Sequence, residues 1–159
     1  MAKHSGSCLC GAVTYETVGQ LRPVVACHCK QCRKSTGHYV SATSARRDAI
    51  SITGNVTWFQ SSDTARRGFC STCGSNLFWD GAGDNLSIMA GTIDGDTGLK
   101  TAGHIFCADK GDYYEIDANS AQAEGFEHVK ADLTSSTGSA ERETRMVSPM
   151  PIQSRLPMP

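Results

Sequence analysis

Seven of the eight cysteines in this 159-residue chain fall into three tight clusters: Cys8-Leu-Cys10-Gly11, Cys27-His-Cys29-Lys-Gln-Cys32 and Cys70-Ser-Thr-Cys73-Gly74. Cysteines that serve a core as small hydrophobes do not bunch in this way, whereas spacings of two and three residues bring sulfurs within reach of one metal ion. The arithmetic then constrains the fold. Two pairs close a four-sulfur tetrahedral zinc site, and a triple leaves one coordination position open. A domain stapled by such a site depends on the metal for its structure and can be built from short elements.

The remaining sequence fits that requirement. From about residue 5 to residue 118 it reads as short strands punctuated by Gly, Asn, Asp and Ser. Alternating or apolar runs predict strands at 11–16, 24–26, 50–53, 56–60, 76–79, 86–89, 104–106 and 113–116, with a hairpin turn over 81–85. The stretch beginning near Cys29 is the best short helical segment, and long amphipathic helices are missing. Many short strands predict a mainly β fold. From about Asn119 the composition changes to Ser135-Ser-Thr-Gly-Ser139 and a proline-rich end, Ser148-Pro-Met-Pro151 through Pro159. The chain is therefore expected to divide into a zinc-binding domain over 1–118 and a C-terminal extension over 119–159.

Charge and hydropathy narrow the function classes. Fifteen Lys and Arg stand against sixteen Asp and Glu, so the basic surplus of nucleic-acid-binding modules is missing. No apolar run reaches membrane-span length, and Met1-Ala-Lys-His-Ser-Gly6 is not an apolar signal segment. The expectation is a cytoplasmic protein without nucleic-acid or membrane partners. Thiols stay reduced there, and Cys-x-x-Cys spacing favours metal or redox chemistry over disulfides. Near-neutral charge and an apolar tail are compatible with a homodimer.

Both pairs of cysteines are followed by glycine, Gly11 and Gly74, which matches them to each other as one closed structural site of Cys8, Cys10, Cys70 and Cys73. On a strand, Cys8 and Cys10 would leave the same face. The competing reading is a redox Cys-x-x-Cys with an unrelated pair beside it. The triple Cys27, Cys29 and Cys32 has three readings: an open zinc site, a second structural site completed by His28, His38, His104 or Cys107, or a site that holds no metal. Three thiolates on a divalent cation carry a net charge of about −1, which suits binding and deprotonating a substrate thiol better than generating hydroxide. The chemistry suggested is thiolate attack on a small carbonyl, or its reverse.

The layout Gly6-Ser-Cys-Leu-Cys-Gly-Ala-Val-Thr-Tyr15, Cys27-His-Cys-Lys-Gln-Cys-Arg-Lys-Ser-Thr-Gly37 and Arg67-Gly-Phe-Cys-Ser-Thr-Cys-Gly-Ser75 resembles the glutathione-dependent formaldehyde-activating enzyme family, also called the centromere-protein-V/formaldehyde-activating domain. Gly103-His-Ile-Phe106 and Lys110-Gly-Asp-Tyr-Tyr-Glu-Ile116 resemble its closing segments. The resemblance implies a β-tent fold of stacked antiparallel sheets over 1–118. It implies a structural zinc on Cys8, Cys10, Cys70 and Cys73 and a second zinc on Cys27, Cys29 and Cys32, the catalytic group. It further implies a carbon–sulfur lyase that adds formaldehyde to glutathione to give S-hydroxymethylglutathione, with a small-molecule thiol and an aldehyde as its partners.

Among the cations Arg33, Lys34, Arg46, Arg47, Arg66 and Arg67, the first two are closest in sequence to the triple and are expected to meet the carboxylates of a glutathione-like thiol. His28 and His104 are proton-shuttle candidates, and Trp58, Phe78, Trp79, Tyr113 and Tyr114 are candidates to line a pocket or fill the core. The alternative function is a non-catalytic, zinc-stabilised β-tent binding module.

Overall fold

Ten strands, one short helix and three single-turn 3₁₀ segments occupy residues 1–126, the residues described by this computed structural model. The part of the expected C-terminal extension over 127–159 lies outside the described residues. The strands are β1 (Lys3–Ser7), β2 (Thr14–Val18), β3 (Val24–Cys27), β4 (Val40–Arg46), β5 (Ile50–Thr53), β6 (Val56–Ser62), β7 (Ala65–Cys70), β8 (Asn76–Asp80), β9 (Asn85–Met89) and β10 (Thr101–Ile105). The helix, α1 (Lys30–Thr36), lies between β3 and β4. Two sheets result, one ordered β1-β2-β5 and the other β10-β3-β4-β9-β8-β7-β6. The mainly β, stacked-sheet expectation is met. Pairing is antiparallel throughout except where β10 joins β3 in parallel.

Period-two alternation sends the larger sheet's side chains into two separate apolar groups. Ala45, Phe78, Leu86 and Ile88 face the smaller sheet, where Val13 and Tyr15 complete the main core. Tyr15 meets Phe78 edge-on with centroids 5.3 Å apart. Val40, Ala42 and Met89, with Trp79 beside them, face the other way and pack around Cys27, Cys29 and Cys32. Strand β8 departs from strict alternation. Gly68 pairs with Phe78 and Phe69 with Asn76, so Leu77 is the extra residue of a bulge and joins Phe78 in the main core.

Several expected elements differ. Hydrophobic alternation does not announce strands β1, β4 and β7, because Lys3–Ser7, Val40–Arg46 and Ala65–Cys70 carry Ser, Thr, Gly or Arg where a simple alternation needs apolar residues. The run 11–16 becomes strand only from Thr14, since 9–13 forms the turn that carries Cys10. The expected strand at 113–116 is a turn and loop. Its tyrosines are engaged in ring stacking, and the Tyr114 carbonyl accepts from Lys110 Nζ at 3.0 Å rather than from a neighbouring strand. Beyond it, residues 121–125 run alongside β10 in the parallel sense: His104 N–H donates to Ala121 O at 2.8 Å, and Ala123 N–H donates to His104 O at 2.9 Å.

Candidate metal centres

Cys8 and Cys10 do not sit on a strand, as expected from their spacing, but in the turn that leaves β1. Cys70 ends β7, and Cys73 lies in the turn that follows. In each turn the glycine that follows the cysteine pair closes the backbone onto the carbonyl of the first cysteine, across three residues in one turn and four in the other. Gly11 N–H donates to Cys8 O at 3.0 Å and Gly74 N–H to Cys70 O at 2.8 Å. Both glycines have positive φ, 77° and 75°, where a Cβ would be strained. Leu9 N–H donates to Ser75 Oγ at 3.0 Å and ties the turns together. Strand β1 belongs to the smaller sheet and β7 to the larger, so the four sulfurs join the two sheets at one end of the core.

The donor set fits a tetrahedral ion. One sulfur from each of Cys8, Cys10, Cys70 and Cys73 lies within 4.8 Å of every other. The Cys8–Cys10 and Cys10–Cys70 sulfurs are 3.6 and 3.8 Å apart, near the edge of about 3.8 Å that four Zn–S bonds of about 2.3 Å require. Charge is unevenly held in the group. Hydrogen bonds from the Ser75 side chain and backbone bring Cys73 down to about 5. The Ala12 N–H lowers Cys10, but the Cys8 and Cys73 sulfurs outweigh it and push that thiol up to about 11. A divalent cation would replace the protons these sulfurs otherwise share.

The triple lies on the opposite face of the larger sheet. Cys27 ends β3, Cys29 caps α1 with its sulfur 3.4 Å from the Cys32 N–H, and Cys32 is buried in the helix. Their sulfurs also lie within 4.8 Å of one another. The Cys27 and Cys32 thiols stabilise a thiolate on Cys29 and bring it down to about 2, while Cys29 and Cys32 push Cys27 strongly up. Among the described residues no fourth His, Cys, Asp or Glu atom joins the group. His28 is fully buried, and its ring is held by Tyr114 and His104. His38 stacks against Tyr39, and Cys107 lies in the 3₁₀ turn after β10.

The side chains around the triple sort differently from their order in sequence. Lys34 is exposed, and Arg33 is half-buried with its Nε out of contact with solvent and without a hydrogen-bond partner among the described residues. The cation that reaches a sulfur is Arg67, on β7, whose Nη2 lies 3.8 Å from Cys32 Sγ. Sequence proximity favoured Arg33 and Lys34 over it; the readable signal was that Arg66 and Arg67, adjacent on a strand, must face opposite sides. Burial, helped by the nearby His104, His38 and Lys110 charges, brings His28 down to about 4, and burial also lowers His104. Trp79 packs against the sulfur group and Tyr114 against His28, whereas Trp58 and Phe78 stack in the main core.

A family model described as "Glutathione-dependent formaldehyde-activating enzyme" matches residues 3–109, well over half of the chain. Over 80 residues the chain is also 29% identical to an uncharacterized lyase of Schizosaccharomyces pombe. That match takes in 50% of this chain and 58% of the relative, so the chain spans little more than half of the relative's length. Among the described residues, no helix is long and apolar enough to cross a membrane.

Proposed function

The chain belongs to the glutathione-dependent formaldehyde-activating enzyme family, and from that premise we propose that it is a zinc-dependent carbon–sulfur lyase that adds a small aldehyde to a thiol, or removes it, at Cys27, Cys29 and Cys32. The observation that carries the reading is a group of three converging sulfurs, separate from a group of four on the other face of the larger sheet. Cys8, Cys10, Cys70 and Cys73 would hold a closed structural zinc, and Cys27, Cys29 and Cys32 an open one. Held by these three thiolates, a zinc would offer a free position at which a thiol would lose its proton and keep a nucleophilic sulfur.

The bond changes balance without a redox partner. In the forward direction the thiol sulfur bonds to the carbonyl carbon, the C=O π pair moves to oxygen, and the proton lost by the thiol ends on that oxygen. In reverse the hydroxyl gives up its proton, C=O re-forms, and the C–S pair returns to sulfur. Trp79 and Met89 keep water from one side of the sulfurs. His28, kept neutral by burial, fixes the turn between Cys27 and Cys29 through its bonds to Tyr114 and His104. Arg33, whose buried Nε has no acceptor among the described residues, and Lys34 at the exposed edge supply cations for the carboxylates of glutathione or a similar thiol.

The test is zinc stoichiometry on anaerobically purified protein, followed by turnover of a thiol–formaldehyde adduct above the spontaneous rate. Two zincs falling to about one in Cys29→Ser, with the fold intact and the catalysed rate lost, are expected. A Cys29→Ser or Cys32→Ser protein with the full catalysed rate would overturn the reading.

A further inference from the structure

Arg67 brings to the Cys27/Cys29/Cys32 group a charge that no carboxylate among the described residues neutralises. The residue is 8% exposed. Its guanidinium donates from Nη2 to Gln31 Oε1 at 3.3 Å and to Cys32 Sγ at 3.8 Å. No ion pair involves it among the described residues. Its sequence neighbour provides the contrast. Arg66, on the other face of β7, donates Nε to Asp80 Oδ2 at 2.8 Å and lies 4.3 Å over the Trp58 ring. A guanidinium stays protonated even when buried, and burying it without an anion is costly. The negative partner of Arg67 is therefore the sulfur group.

We infer that Arg67 is a positioning residue that supplies the counter-charge for an anionic centre on Cys27, Cys29 and Cys32, and so lets that centre take a further anionic sulfur ligand in preference to water. Three thiolates and a divalent cation carry about −1, a fourth thiolate makes about −2, and the guanidinium brings the enclosed charge back to about −1. Gln31 holds the fork in place: its Oε1 accepts from Arg67, and its Nε2 donates to Ser61 O at 3.3 Å on β6. The inference rests on the function proposed above, because both concern the same open position.

The experiment is titration of the cobalt-substituted full chain with 2-mercaptoethanol, followed by the sulfur-to-cobalt absorption. This probe carries no carboxylate, so any role of Arg67 in holding glutathione's carboxylates does not register. Wild type is expected to take cobalt at both groups and to respond to the thiol. Arg67→Met is expected to keep the four-sulfur cobalt and to bind the thiol about tenfold more weakly, with Arg67→Lys restoring affinity to within about threefold of wild type. Gln31→Leu, at an exposed position, is expected to weaken binding about threefold and decides the matter if Arg67→Met does not fold. Unchanged affinity in Arg67→Met, in Gln31→Leu where that variant decides, or a lysine variant as weak as the methionine one, overturns the inference and leaves the proposed function standing. A wild-type protein whose triple takes no cobalt, or ignores the thiol, overturns both.

Discussion

His28 Nδ1 lies 2.5 Å from the Tyr114 hydroxyl, a contact across 86 residues of sequence. The hydroxyl also accepts the Gly111 N–H at 3.4 Å, and the other His28 ring nitrogen, Nε2, pairs with His104 Nδ1, 2.9 Å away. His28 stands between Cys27 and Cys29, so the loop after β10 sets the geometry of the three-sulfur group without contributing a ligand to it. Lys110 reinforces the loop, with its ammonium 5.5 Å over the Tyr114 ring and bonded to the Tyr114 carbonyl.

Tyr114→Phe keeps the ring and removes the hydroxyl, so a nitrogen of the fully buried His28 loses its partner. A loss of about 1–3 kcal/mol is expected in urea unfolding. Because the hydroxyl anchors the Cys27–Cys29 turn, chelators should also strip metal faster from the triple than in wild type. A variant with wild-type stability and wild-type metal release would show that the contact does not hold the turn.

The two sulfur groups should respond differently to loss of a ligand. Cys70 is 1% exposed and lies where the two sheets are joined, whereas Cys29 lies on the outer face at the N-terminal end of a seven-residue helix. Cys70→Ser is expected to lose the cooperative thermal transition or to lower Tm by on the order of ten degrees or more. Cys29→Ser should lose one metal with only a few degrees' change. Differential scanning calorimetry on anaerobic samples, with metal counted on the same material, checks both. Equal Tm losses would contradict the division into a closed structural group and an open one.

How far the sequence carried the reading is clearest at particular residues. The three clusters were legible because metal-ligand spacing is local, and the helix over Lys30–Thr36 follows from the stretch beginning at Cys29. Strand Ile50–Thr53 was read at its observed bounds because its side chains alternate cleanly. Strand β4 was not legible: its interior is Ser, Ala and Thr, and Thr43 is buried by donating to the Arg22 carbonyl, a tertiary contact that local pattern does not announce. Tyr113 and Tyr114 looked like a strand pair because aromatic residues favour strands. Tertiary stacking on His28 and His38 overrode that preference. Arg67 was visible only as one cation among several, since the distance from β7 to Cys32 is set by sheet order.

Gly6→Ala should be strongly destabilising although the change is one methyl group. A Cβ at Gly6 would lie 2.2 Å from the Tyr15 ring and 2.4 Å from the Thr92 carbonyl oxygen. Tyr15 is 2% exposed, and its hydroxyl is 2.8 Å from Thr92 Oγ1, so the ring has no room to withdraw. A cost of about 1–3 kcal/mol is expected from chemical denaturation. Gly91→Ala, where nothing lies within 4 Å of the added carbon, serves as the control. Equal stabilities for the two variants would show that the smaller sheet yields more easily than its packing implies.

Asp80 gives the acid limb of stability a specific origin. The carboxylate, 10% exposed, bonds to Arg47 on one oxygen and to Arg66 on the other. Burial raises its pKa, but the Arg66 and Arg47 guanidiniums outweigh burial and hold it below the usual carboxylate range. A folded-state value below the unfolded one, about 3.9, means that the contribution is fully present above that pH and is lost as pH falls through the folded value. Both cations are partly solvated, 37% and 47% exposed, so water recovers part of the loss when the charge is removed. Asp80→Asn is therefore expected to cost about 1–2 kcal/mol at neutral pH. The gap between variant and wild type should begin to narrow as pH falls below about 4 and close as it passes the lower folded-state value, where the folded wild-type carboxylate also becomes neutral. Thiolate ligands lose metal in acid in both proteins, so the difference between the two unfolding curves at each pH is the quantity to follow. A gap that stays constant from neutral to acid pH would mean that Asp80 acts through shape and hydrogen bonding, with its charge irrelevant.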